Sequence, residues 1–188
     1  MKQIKMFGLG GQGVVTAAKV FCEAVAIHED AYAQAIPAYG HERRGAPVYA
    51  DAMISHNPIK LKGFVYAPDY VAIFDVSVLE KGIAVMEGTT PQTVFIVNTP
   101  GLKSSYPFYN HKVFWVDAQR IALESLKVDI PNTAMLGALA GAGLVGIKAV
   151  RAAISDKFKA AAEANLDAAQ AAFENIVSNK EQGGNAHG

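Results

Sequence analysis

Residues 8–13 read Gly8-Leu9-Gly10-Gly11-Gln12-Gly13, so glycines at 8, 10 and 13 fit the pattern G-x-G-x-x-G. The first glycine permits a tight turn. The second lets another group approach the backbone, and the third lets helix and strand pack closely. A strand-like run, Lys2 to Phe7, precedes the segment, and a helix-like run, Val14 to Ala26, follows it. The loop therefore leaves backbone N–H groups at a helix N-terminus, a natural seat for an anion. A second cluster lies in residues 36–48, Ile-Pro-Ala-Tyr-Gly-His-Glu-Arg-Arg-Gly-Ala-Pro-Val. Its prolines and glycines fix a loop shape around His41, Glu42, Arg43 and Arg44. Arginine makes bidentate contacts with carboxylate or phosphate. This loop either pairs charge at its own surface or a subunit interface, or approaches an anionic ligand beside the glycine loop. The interface is the favoured reading.

Other chemistry is thin. A dinucleotide site needs a carboxylate at the end of the second strand, about 20 residues past the glycines. That strand ends Ala35-Ile36-Pro37-Ala38-Tyr39, and Glu29 and Asp30 stand at its wrong end. A tightly bound dinucleotide is therefore disfavoured. His28, His41, His56 and His111 show no zinc-ligand spacing. Ser77 and Ser104-Ser105 suit caps and turns. Cys22, the single cysteine, can form neither an internal disulfide nor a cluster ligand set. Beside Val20 and Phe21 it reads as a buried, inert thiol. Asp75 follows an apolar run and either lines a cleft or caps a helix, with capping favoured.

The elements that must position these residues alternate between strand and helix. Strands are expected at 2–7, 31–36, 46–55, 70–74, 93–97 and 113–116. Helices are expected at 13–28, 77–85 and 118–126, with Asp117 as N-cap, and again from Pro131-Asn132. Residues 46–55 alternate with period two, as a half-buried strand does. The connection from the second strand is too short for a crossover helix, so those two strands should be antiparallel. Residues 149–179 read as a mostly exposed helical tail with an interrupted apolar stripe. The predicted fold class is α/β, a three-layer sandwich with a mixed, largely parallel sheet and a Rossmann-like start. One domain spans 1–179, and a disordered tail carrying His187 spans 180–188.

Composition sets the bounds. A chain of 188 residues suits one domain with a sizeable core. Acidic and basic residues number 17 each, which argues against a nucleic-acid binder working by bulk charge. The longest apolar run, Thr133 to Ile147, falls short of the roughly 20 residues that cross a bilayer. Its glycines at 137, 141, 143 and 146 suit a helix in close contact with a neighbour, or one that breaks midway. The chain starts with a strand and a glycine loop instead of a charged then apolar leader. A cytoplasmic protein, with no membrane partner, is expected.

Four segments carry a resemblance. The run from Gly8 through Gly-Gly-Gln-Gly-Val-Val-Thr-Ala-Ala to Lys19 is followed by Gln34-Ala-Ile-Pro-Ala-Tyr-Gly40 and Glu42-Arg-Arg-Gly-Ala-Pro47. Together with Asn132-Thr-Ala-Met-Leu-Gly-Ala-Leu139, these segments closely resemble the gamma subunit of 2-oxoacid:ferredoxin oxidoreductases, across residues 1 to about 155. The resemblance implies a non-catalytic subunit of an enzyme that oxidatively decarboxylates a 2-oxoacid with coenzyme A. Products are an acyl-CoA, carbon dioxide and electrons for ferredoxin or a nicotinamide acceptor. It puts thiamine diphosphate, Mg2+ and 4Fe–4S clusters on partner subunits. Those partners would be alpha, beta and ferredoxin-like delta chains, with a flavin-containing electron-transfer subunit as a further option. Here the binding candidates are Gly8, Gly10, Gly11, Gln12, Gly13, Arg43, Arg44 and Asn132, facing coenzyme A or the partner chains. No residue is assigned to catalysis or to a metal. The rival reading is a stand-alone nucleotide-binding oxidoreductase of Rossmann type.

Overall fold

In β1 (Lys2–Leu9), Ile4 and Met6 enter one core cluster while Phe7 enters another on the opposite face. A strand sorted this way is buried on both sides and belongs in the middle of a sheet. The computed structural model describes residues 1–37 and 44–179, and β1 lies inside its seven-stranded sheet. β1 pairs in parallel with β4 (Tyr70–Ile73), which pairs with β5 (Val94–Asn98), which pairs with β6 (Lys112–Val116). On its other side β1 pairs antiparallel with β3 (Pro47–Ser55), and β3 with β2 (Tyr32–Pro37). The expected antiparallel pairing of the second and third strands is therefore present. β7 (Val177–Ser178) closes the far edge antiparallel to β6.

The two faces are covered differently. Five helices contribute to the larger cluster: α1 (Val14–His28), α2 (Ala118–Leu126), α3 (Asn132–Gly141), α4 (Ile147–Phe158) and α5 (Ala162–Asn175). The other face is covered by irregular chain from the β4–β5 and β5–β6 connections, through Val78, Val85 and Phe108. The helix expected over 77–85 is not there. A single 3-10 turn, Val76–Val78, gives way to turns, and Gly82 at φ 71° cannot continue a right-handed helix.

Two further expectations need correction. Residues 46–55 form a strand, but Asp51 and Met53, on its supposedly exposed side, are fully buried. The Asp51 charge is compensated there. Lys5, its register partner on β1, places Nζ 3.3 Å from Asp51 Oδ1, and the Val65 N–H donates to Asp51 Oδ2 at 2.7 Å. The stretch 149–179 is the rest of α4, a 3-10 turn at Lys159–Ala161, α5 and a strand instead of one exposed tail. Lys159, at φ 46°, breaks it. α5 buries Ala168, Ala169 and Ala172, and β7 leaves the helix because Val177 pairs with Trp115 across the sheet edge. The expected tail 180–188, His187 included, lies outside the described residues.

Small residues make the α3–α5 contact. A Cβ placed on Gly137 would meet the Ala169 carbonyl oxygen at 1.9 Å. Both readings of the glycine-rich run hold, since α3 also ends at Gly141 and Gly143 takes φ 79°. Among the described residues no helix is long and apolar enough to cross a membrane. On α1, burial first and the Glu23 carboxylate second push the Cys22 thiol up to about 12.

Gly137→Ala should lower the unfolding free energy by about 2–3 kcal/mol, read from the denaturant midpoint. Gly63→Ala, with open space around it, should change it by less than about 0.5 kcal/mol. Equal midpoints would refute the close approach. For Cys22 the unfolded thiol ionises near about 8.5 and the folded one near 12. The unfolded chain then loses its proton first, so stability is fully present below the lower value and falls as pH rises through that window. Native protein should resist iodoacetamide at about pH 8 and react once denatured. The alkaline loss of stability should flatten in Cys22→Ala, and an unaltered slope would show that the thiol is not its source.

Candidate functional site

The glycine loop sits where β1 ends and α1 begins, at the carboxyl ends of the parallel strands. Ligands of open α/β sheets bind at such ends. Gly13 takes φ 74° at the N-cap of α1, and a side chain there would press on Asn132, with Nδ2 only 2.7 Å from the Cβ position. Only glycine meets both demands. Gly8 is packed as closely, since a Cβ would lie 2.6 Å from Val14 and 2.9 Å from Phe74. The strand–helix packing ascribed to the third glycine thus falls on Gly8 as well.

The loop uses several of its own N–H groups. Leu9 N–H donates to Gln12 Oε1 at 2.8 Å, and Gln12 N–H donates to the Leu9 carbonyl at 3.1 Å. Gly10 N–H donates to the Ala46 carbonyl at 2.8 Å. The expected anion seat is therefore narrower than the whole loop. Among the described residues no hydrogen bond takes the N–H groups of Gly11 or Gly13, and no side chain caps α1. These groups and the first turn of the helix are what is left of the expected seat.

The described end of the arginine loop, residues 44–46, is stitched to it. Gly45 N–H donates to the Gly10 carbonyl at 3.0 Å, returning the bond from Gly10 to Ala46. Arg44 then lies against Gly11, its Cγ 3.6 Å from where a Cβ would stand. Gly10, Gly11, Gln12 and Arg44 share one open hollow of about 720 Å3 with Asp75, Asp129, Val128 and Ile130. Val128 and Ile130 are 46% and 36% exposed. Arg43, with His41 and Glu42, lies outside the described residues. Asn132 is buried behind the loop, where it backs Gly13 and accepts the Thr133 N–H through Oδ1 at 2.8 Å.

Asp75 is more than the cap it resembles in sequence. Its Oδ1 does accept the Ser77 N–H at 2.8 Å, which caps the 3-10 turn. Its Oδ2 accepts Gln12 Nε2 at 2.6 Å and so ties β4 to the glycine loop. The signal in the sequence was its place at the carboxyl end of a central strand. The contact itself needed the β1–β4 pairing.

Comparison with known proteins gives the family and the fold. Residues 3–175 match the family described as Pyruvate ferredoxin/flavodoxin oxidoreductase. The chain is 45% identical to the pyruvate/ketoisovalerate oxidoreductases common subunit gamma of Pyrococcus abyssi, over 93% of this chain and 96% of that one. It is 41% identical to pyruvate synthase subunit PorC of Methanocaldococcus jannaschii, over 94% and 98%. The crystal structure of pyruvate oxidoreductase subunit PORC from Thermotoga maritima superposes with a TM-score of 0.80 at 33% identity, covering 95% of this chain and 98% of that one. The fold also recurs in 2-oxoglutarate:ferredoxin oxidoreductase from Magnetococcus marinus, with a TM-score of 0.73 at 20% identity, over 92% of this chain but 31% of that one. The relatives named as subunits belong to larger oxidoreductases, which does not favour a stand-alone nucleotide-binding enzyme. Gly-Gly-Gln-Gly is joined to Arg-Gly-Ala-Pro by reciprocal backbone bonds, on a chain that matches over nearly its whole length: the protein belongs to the pyruvate ferredoxin/flavodoxin oxidoreductase family.

Proposed function

We propose that this gamma-type chain serves a complex that converts a 2-oxoacid and coenzyme A to acyl-CoA, carbon dioxide, a proton and two electrons, and that it holds no reacting group itself. The observation that carries this is the stitched hollow. Gly11, whose N–H has no partner among the described residues, and the Arg44 side chain line one hollow, next in sequence to the uncapped start of α1. That combination suits the phosphates of coenzyme A. Arg43, next in sequence, would add a second cation. Gly8, Gly13 and Asn132 shape the loop from behind.

The donor chemistry of this chain does not fit an iron–sulfur cluster. Clusters need several thiolates, and Cys22 is alone, buried and held protonated. In this reading, clusters and Mg2+-bound thiamine diphosphate sit on alpha, beta and delta chains, and electrons leave to ferredoxin or, through a flavin-containing subunit, to a nicotinamide. The complex works in the cytoplasm. The exposed Val128 and Ile130 on the rim of the hollow favour a second use of the same surface, as an anchor for the thiamine-binding subunits. Apolar side chains left at the surface beside charged groups suit a subunit contact that must also exclude water.

The chain co-expressed with its partner subunits should purify with them, carry thiamine diphosphate and clusters, and reduce viologen in a coenzyme A-dependent way. The 2-oxoacid scan begins with pyruvate and ketoisovalerate, the substrates named for its relatives. The chain alone should be inert. Arg43→Ala with Arg44→Ala should raise KM for coenzyme A about tenfold or more, the scale of a lost charge-assisted contact. An unchanged KM in a complex that dissociates would assign the surface to the partner chains instead. A chain that purifies alone with nucleotide bound and active would overturn the whole proposal.

A further inference from the structure

We propose that Asp75 is a positioning residue: it sets which way the Gln12 amide faces, and through it the shape of the glycine loop. This rests on the anion-seat reading above. An ionised carboxylate only accepts hydrogen bonds. Asp75 Oδ1 is held by the Ser77 N–H at 2.8 Å, so Oδ2 is turned to Gln12 at 2.6 Å. Gln12 must then present its NH2 to Asp75 and its Oε1 to Leu9, whose N–H reaches it at 2.8 Å. The flipped amide would set oxygen against carboxylate at one end and NH2 against N–H at the other. Both contacts would be repulsive, so one orientation survives.

The consequence reaches the seat directly. Leu9 and Gln12 bind each other twice, once through the Gln12 side chain and once through its backbone. This closed ring holds Gly11 at φ 96° on the tip of the loop, beside Arg44. It also absorbs the Leu9 N–H, while those of Gly11 and Gly13 have no partner among the described residues. Asp75 thus divides the loop's donors into those that build it and those that remain for an anion. Its own charge is met by two N–H donors, one from Gln12 and one from Ser77. The 3-10 turn at Val76–Val78 gains a purpose here, because the Ser77 N–H orients the carboxylate.

Hydrogen-bond polarity makes the test sharp. In Asp75→Asn one amide cannot accept from both Ser77 and Gln12. In Gln12→Glu two carboxylates meet. The reciprocal pair Gln12→Glu with Asp75→Asn restores every bond with the polarity reversed. The carboxylate then at position 12 accepts from the Leu9 N–H and from the amide then at position 75. The oxygen of that amide accepts from the Ser77 N–H. The net charge of the pair is unchanged. In the assembled complex, each single variant should speed hydrogen exchange at Leu9 about tenfold. Each should raise KM for coenzyme A about tenfold, while kcat falls less than about threefold. The reciprocal variant should return both exchange and KM to within about threefold of native. Native exchange at Leu9 in Asp75→Asn overturns the proposal, as does a reciprocal variant no better than the singles. If exchange responds but KM does not, while Arg44→Ala does raise KM, the bond is structural and the positioning role is wrong. If Arg44→Ala also leaves KM unchanged and coenzyme A slows no exchange in residues 9–14, the anion-seat reading itself has failed, and the role assigned to Asp75 fails with it.

Discussion

The rest of the site depends on two backbone hydrogen bonds exchanged between Gly10 and residues 45 and 46. They continue the β1–β3 ladder past its last register pair, Leu9 with Pro47. An antiparallel neighbour runs backwards along β1, so the chain entering β3 must lie beside the chain leaving β1. A parallel crossover would have sent the arginine segment to the other end of the sheet. The antiparallel intrusion into an otherwise parallel run of strands is thus what turns a Rossmann-like turn into a composite surface. It also occupies the Gly10 N–H, which a dinucleotide-binding loop would offer to a diphosphate.

Behind that surface the molecule is asymmetric. The helical face relies on small residues at α3 and α5, whose backbones approach closely enough that a methyl group on Gly137 has no room. The opposite face has no α-helix layer among the described residues, and its irregular connections are tied to the sheet individually. The Lys5–Asp51 pair shows how. Asp51 holds the Val65 N–H and Lys5 donates to the Val65 carbonyl at 2.8 Å, so one ion pair secures a loop that has no secondary structure of its own. Removing Lys5 would leave a buried charge uncompensated. Tyr49, Phe64 and Tyr66, each more than 40% exposed, lie on this looser face.

Local signals in the sequence located nearly every element that carries the site. The strand–glycine loop–helix unit, the antiparallel second pair, the Asp117 cap and the start of α3 at Asn132 all follow from turn chemistry and periodicity, which act over a few residues. Failures came where distant partners decide. Val177 resembles the end of a helical stripe until Trp115 offers it a strand to join. Asp51 resembles a solvent-facing residue until Lys5 stands opposite. Asp75 resembles a cap, and is one, but its second oxygen serves a residue 63 positions away. Each needs a pairing register that periodicity does not encode.

The balance of charge bears on the proposed anion seat. Among the described residues Arg44 shares the hollow with two carboxylates, Asp75 and Asp129. Among the described residues, Arg44 is therefore not in excess over the carboxylates. Asp75 already has N–H donors on both oxygens, which draws its field inward and weakens its repulsion outward. In the proposed seat, oriented dipoles then have to assist Arg44: the uncapped start of α1 and the N–H groups of Gly11 and Gly13, which no described residue takes. Dipoles act over short distances and only on groups held in line with them. A surface built this way is weak for a freely diffusing phosphate and strong for one delivered by a larger ligand or a partner chain already docked nearby. That behaviour suits the proposed role, a subunit that shapes a cleft without carrying its chemistry.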